Sequence, residues 1–203
     1  MTTPNKITLV RIAMIPVFVT MALYYGRSGL PWHRWAAVAI FVAASASDGL
    51  DGYIARRYNQ RSRLGQILDP IADKGLLLAG IITLSISDWG YAFPLWFPVL
   101  VIARDAIVVG GAVILNFMNG TVVIRPSWTG KTATALQMIA LALVMFQFGP
   151  LRAPLYPATS LLLLDLPVYL AALFTAISGF GYVYDGMAQL HDRGHGKVIG
   201  KGE

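Results

Sequence analysis

The stretch SDGLDGYIARRYNQRSRLGQILDPIADK, Ser47 to Lys74, lies between two strongly apolar runs. It carries four aspartates (Asp48, Asp51, Asp69 and Asp73) among four arginines (Arg56, Arg57, Arg61 and Arg63). The 203-residue chain around it is 56% hydrophobic and 13% charged, with a mean hydropathy of +0.61. A soluble globular domain carries roughly 25% charged residues, so this composition is that of an integral membrane protein. An ionised carboxylate near hydrocarbon costs about 2.5–3.5 kcal/mol even on the lenient insertion scale. Four of them therefore call for compensating partners.

Working outward from that stretch, hydropathy marks six spans: Ile7–Gly26, Trp35–Ala55, Ile71–Ser87, Leu95–Phe117, Thr132–Phe148 and Leu161–Asp185. Each approaches the roughly 20 residues that cross about 30 Å of hydrocarbon. Continuous helices are expected, because lipid offers no partner to an unpaired backbone N–H. The breakers fall between the spans, at Gly29-Leu30-Pro31, Asp88-Trp89-Gly90, Asn119-Gly120, Pro126 and the Pro150/Pro154/Pro157 cluster. Aromatics gather at the span ends (Tyr24, Tyr25, Trp32, Trp35, Trp89, Trp96, Trp128), as an interfacial belt requires. The fold class expected is an all-α, six-helix transmembrane bundle. One catalytic domain is expected over residues 1–190, with His191–Glu203 a basic, mobile, solvated tail.

Met1 to Gly26 resembles a signal peptide only superficially. Its apolar part has no small-residue cleavage site and Arg11 stands at its head, so it reads as a retained first span. With no cysteine in the chain, disulfides and thiolate-bound metals are excluded. The net charge of +6 fits basic loops facing anionic lipid better than nucleic acid, and no nucleic-acid partner is expected. One side of the membrane receives Lys6, Arg56, Arg57, Arg61, Arg63, Arg125, Lys131, Arg193, Lys197 and Lys201. The other receives only Arg27, Arg34 and Arg152. That asymmetry places both termini and the aspartate-bearing connection in the cytoplasm.

Asp48 and Asp51 are three apart, and Asp69 and Asp73 four apart, so each pair shares one helical face. Two helices joined by a turn at Arg57–Leu64 would present four carboxylates to each other. Like charges that close repel unless a cation sits between them. Oxygen-only ligation favours a hard ion, Mg²⁺ or Mn²⁺. Gly52 and Gly65 would let backbone or substrate approach closely, or would serve small-residue helix packing. The same aspartates also suit an ion or proton path, or a charge network with Arg56, Arg57, Lys74 and Arg104.

Read in full, the pattern is Asp48-x2-Asp51-Gly52-x2-Ala55-Arg56-x8-Gly65-x3-Asp69-x3-Asp73. It resembles the signature of the CDP-alcohol phosphotransferase family at every fixed position. Thr3-Pro4-Asn5-Lys6-Ile7-Thr8 resembles the family's N-terminal segment beside the nucleotide. Ala103-Arg104-Asp105 and Ser127-Trp128-Thr129-Gly130-Lys131 resemble segments of its bacterial phosphatidylglycerophosphate synthases. The similarity covers about residues 3–140.

The resemblance implies six transmembrane helices, a homodimer, and transfer of a phosphatidyl group from CDP-diacylglycerol to an alcohol with release of CMP. It implies that Asp48, Asp51, Asp69 and Asp73 hold two divalent ions and that Asp73 is the general base. It also implies that Thr3, Pro4, Asn5, Lys6, Gly52, Arg56, Ser62 and Gly65 meet the CDP donor. Two metals suit the charge that builds on the phosphoryl oxygens and the departing CMP. The site would face the cytoplasm of a bacterial inner membrane, among membrane lipid.

Arg104, Lys131 and Arg125 are cations in apolar or interfacial settings, and such residues are functional candidates. Together they would bind an acceptor phosphate, which favours glycerol 3-phosphate over uncharged alcohols. The bland alternative is snorkelling to the headgroups. Arg104-Asp105 stands where phosphatidylglycerophosphate synthases tend to read Arg-Glu. Arg-Asp is nearer to the family's cardiolipin synthases, whose acceptor is phosphatidylglycerol, and that is the runner-up. A membrane prenyltransferase would carry an Asn before the first Asp, where Ser47 stands, and a further carboxylate at Ala55. A transporter would show repeated halves or paired broken helices. Neither pattern is present.

Overall fold

The computed structural model describes residues 3–57, 63–119, 128–147 and 163–196, with side chains over 7–47, 68–69, 71–111, 128–147 and 163–184. The described residues form six α-helices and no strand: α1 Thr3–Ser28, α2 Pro31–Arg57, α3 Arg63–Ile86, α4 Trp96–Asn119, α5 Trp128–Phe146 and α6 Asp165–Gly196. Three stretches, Ile7–Ser28, Trp128–Phe146 and Asp165–Tyr184, are long and apolar enough to cross a membrane. The all-α architecture matches the sequence reading. Helix α6 runs on through Gly196, into the stretch read as a mobile end, and residues 197–203 lie outside the described set.

The chain divides into two compact units. One comprises Met1–Pro98 with Leu141–Leu164, the other Val99–Ala140 with Asp165–Glu203. In the first unit α1 packs along both α2 and α3, which also touch each other. Phe18, Ala22, Leu76, Leu77, Ile81 and Leu84 are essentially sealed from solvent, and Phe18 meets Phe41 of α2 with ring centroids 5.8 Å apart. A side-chain carbon at Gly80 would lie 2.5 Å from Leu141 Cδ2, so glycine there lets Leu141 seat against α3.

Local chemistry sets the turns. Gly29 has φ 65° and its N–H donates to the Tyr25 carbonyl at 2.8 Å, the left-handed cap that ends a helix. Pro31 then opens α2, where its missing N–H costs nothing. In the connection after α3, the Gly90 N–H donates to Asp88 Oδ1 at 2.8 Å. Trp89 Nε1 donates to the Ala22 carbonyl at 3.2 Å. Trp89 is only 1% exposed. Its indole satisfies an α1 carbonyl and packs on Tyr25 with centroids 4.6 Å apart. Tyr24, Trp32, Trp35, Trp96 and Trp128 are exposed.

In the second unit, buried polar pairs join the helices. Gln137 of α5 donates to Thr175 Oγ1 of α6 at 2.8 Å, and Thr175 in turn donates to the Ala171 carbonyl at 2.6 Å.

Candidate active site

Asp69 and Asp73 stand one turn apart on α3, as the four-residue spacing requires. Across from them, Thr8 and Arg11 stand three apart on α1. Because α1 packs along α3, the two pairs meet in matching register. Thr8 Oγ1 donates to Asp69 Oδ1 at 2.8 Å, and Arg11 Nη1 donates to Asp73 Oδ1 at 2.6 Å in a salt bridge. The donors are buried, Thr8 at 0% and Arg11 at 1% exposure. The Asp73 side chain is 45% exposed. The acidic edge is therefore accessible while its supports are sealed within the helix pair. A buried guanidinium is costly without a charged partner, and Asp73 supplies one.

Sequence reasoning passed over Arg11 as a site residue. The signal was available: a lone cation inside an apolar span, one turn after a threonine, is a functional candidate by default. Thr8 was read only as part of the N-terminal segment.

The remaining acidic and donor-site candidates are fixed at the level of backbone. Asp48, Asp51, Gly52 and Arg56 lie on the last turns of α2, Gly65 on the first turn of α3, and Thr3, Pro4, Asn5 and Lys6 on the first turn of α1. Their side chains, and Ser62 and Arg125 altogether, lie outside the described residues. Among the described residues no three His, Cys, Asp or Glu side chains converge on one point. The donor chemistry of the described carboxylates suits a hard divalent ion. The α3 carboxylates offer oxygen only, and each is hydrogen-bonded from behind, as carboxylate ligands of metals commonly are.

Arg104, on α4, is 9% exposed. Its Nη1 donates to Asp105 Oδ1 at 2.7 Å and its Nη2 to Ser178 Oγ of α6 at 2.8 Å. The guanidinium lies 5.6 Å from the centre of the Tyr182 ring. Lys131 opens α5 in an exposed position, its Nζ 5.5 Å from the ring centre of Trp128, which is 84% exposed. Among the described residues these two cations share no partner. Ser178 and Tyr182 had no motif to announce them.

The chain is similar to known proteins over most of its length. The family model for CDP-alcohol phosphatidyltransferase matches residues 1–177. The chain is 34% identical over 187 residues to the Bacillus subtilis protein named CDP-diacylglycerol–glycerol-3-phosphate 3-phosphatidyltransferase, covering 88% of this chain and 92% of that one. It is 36% identical over 179 residues to a Mycobacterium tuberculosis protein named "Probable phosphatidylglycerophosphate synthase", covering 88% and 78%. The Escherichia coli protein that carries the same name as the Bacillus one is 34% identical over 148 residues, covering 71% and 76%.

Proposed function

Since the chain belongs to the CDP-alcohol phosphatidyltransferase family, we propose that it transfers the phosphatidyl group of CDP-diacylglycerol to glycerol 3-phosphate, releasing CMP. The observation that carries this reading is the Asp69–Asp73 pair, held on α3 by two buried α1 donors. It continues, in sequence, the Asp48-x2-Asp51-Gly52-x2-Ala55-Arg56 run of α2. The names of the similar proteins support glycerol 3-phosphate as acceptor.

The family is generally dependent on divalent metal. Two Mg²⁺ or Mn²⁺ ions held by Asp48, Asp51, Asp69 and Asp73 would neutralise charge on the phosphoryl oxygens and the leaving CMP. The chain's own part is to bind, orient and move one proton. Asp73, half-exposed beside Arg11, takes the proton of the acceptor hydroxyl as its oxygen attacks the β-phosphorus and the bond to CMP breaks. Thr3, Pro4, Asn5, Lys6, Gly52, Arg56, Ser62 and Gly65 receive the CDP moiety. Arg104, Lys131 and Arg125 receive the acceptor phosphate through charge-assisted hydrogen bonds.

All six helices cross a bacterial inner membrane in this reading, as a homodimer with both termini and the site toward the cytoplasm. The bias of Lys and Arg supports that orientation. The test is the purified protein with CDP-diacylglycerol and a panel of acceptors, read by CMP release and lipid mass spectrometry. Phosphatidylglycerophosphate from glycerol 3-phosphate is expected. Cardiolipin from phosphatidylglycerol, with no phosphatidylglycerophosphate, would replace the acceptor and keep the chemistry. No CMP with any acceptor would overturn the reading.

A further inference from the structure

We propose that Thr8 and Arg11 are positioning residues of the reaction, holding the Asp69 and Asp73 carboxylates in the orientation that grips the divalent ions. The inference rests on the metal-dependent reading above and deepens it.

Three observations carry it. First, two cross-links join the same pair of helices about one turn apart, Thr8 to Asp69 at 2.8 Å and Arg11 to Asp73 at 2.6 Å. Each donates to a carboxylate oxygen, and together they fix the two acids relative to each other. A single contact could not do that. Second, both donors are buried to 1% exposure or less while Asp73 is 45% exposed, so the support lies on the side away from solvent. Third, α1 and α3 approach closely just past the ion pair. A side-chain carbon at Gly75 would lie 3.2 Å from Ile15 Cδ1, tight enough that a larger residue would push against the α1–α3 contact. A pair of sealed donors behind carboxylate ligands is the arrangement that orients a metal's ligands and tunes its affinity.

Charge and orientation predict opposite signs. Arg11 is a cation near the proposed ion positions. If charge were its whole effect, removing it would tighten divalent binding. If it orients Asp73, removing it weakens binding despite the lost repulsion.

The experiment measures Mn²⁺ affinity of the full-length, detergent-purified protein without substrates, by electron paramagnetic resonance of the free ion. Thr8→Val keeps the volume and removes only the hydroxyl donor. Arg11→Met removes the guanidinium, and Arg11→Lys keeps the charge with a single point donor. Thr8→Val and Arg11→Met are expected to weaken Mn²⁺ binding by about 10- to 100-fold, the range seen when outer-layer partners of metal ligands are lost. Arg11→Lys is expected to recover part of it. Unchanged or tighter binding in Thr8→Val overturns the inference, and this variant decides the matter if Arg11→Met aggregates. A wild-type protein that binds no Mn²⁺ overturns it too. CMP release by that same protein then judges the transfer reading separately.

Discussion

In the proposed reaction Asp73 serves two partners at once, a buried guanidinium behind it and the substrate in front. Its replacements should therefore separate by chemistry. Asparagine keeps an oxygen to accept from Arg11 Nη1, now 2.6 Å from Oδ1, but it cannot take the acceptor's proton. Asp73→Asn should lower turnover by about 100-fold or more, within the range that general-base removal costs, with CDP-diacylglycerol binding largely retained. Asp73→Ala removes the carboxylate oxygen that accepts from Arg11, whose side chain is 0% exposed. Breaking a fully buried ion pair by removing one partner costs about 3–5 kcal/mol. The 45% exposure of Asp73 and the further contacts of Arg11 put this pair toward or below the lower end. Thermal unfolding in detergent should rank wild type above Asp73→Asn and Asp73→Asn above Asp73→Ala. If Asp73→Asn lost donor binding together with turnover, Asp73 would be chiefly a ligand and the base would be another group.

At the scale of the helices, hydropathy located six elements but not their faces. Val17 and Phe18 are neighbours of similar apolarity, yet one is 47% exposed and the other 0%. In a span that faces both lipid and protein, both surfaces are apolar, so periodicity loses its contrast. The acidic pairs were legible because carboxylates in such a chain stand out, and their spacing fixed a shared face. Arg11 escaped notice because its partner is 62 positions away, a distance that no local pattern reports. Trp89 escaped for the same reason, as its acceptor belongs to Ala22. The far end of the first unit shows a further long-range tie. Gln147 closes α5 at φ 52° and accepts from Arg34 Nη1 at 2.6 Å. Its amide also donates to Tyr25 Oη at 2.8 Å and to the Trp89 carbonyl at 2.9 Å. Gln147→Gly would relieve about 1–2 kcal/mol of left-handed strain. It would also lose three hydrogen bonds worth about 1 kcal/mol each, more for the one to Arg34. The bonds outweigh the strain, so the variant should melt several degrees lower while Mn²⁺ affinity and turnover per folded molecule hold. A higher melting temperature would mean that backbone strain dominates this corner.

Across the whole chain, the distribution of cations matters more than their sum. Lys131 stands on the Lys- and Arg-rich side by sequence, in the exposed opening turn of α5 with Nζ over the Trp128 ring. Two roles compete for such a residue: gripping an acceptor phosphate, or anchoring the helix end at the headgroups beside an exposed tryptophan. They differ in what truncation does. A lost charge-assisted hydrogen bond to phosphate is worth about 1.5–3 kcal/mol, and each 1.4 kcal/mol is about tenfold in affinity. Lys131→Ala should then raise KM for glycerol 3-phosphate by roughly tenfold or more. KM for CDP-diacylglycerol should change little, because the proposed donor contacts are other groups. An anchoring lysine would give the reverse outcome, with KM for both substrates near wild type and a shift only in stability or lipid dependence. Arg104 sharpens the comparison, since its Nη1 and Nη2 already serve Asp105 and Ser178. Arg104→Ala would disturb α6 packing as well as any phosphate contact, so its kinetic effect would be mixed with a loss of stability. Lys131 carries no such structural burden among the described residues. Steady-state kinetics on Lys131→Ala, with each substrate varied in turn, therefore decides whether the acceptor phosphate is read by α5.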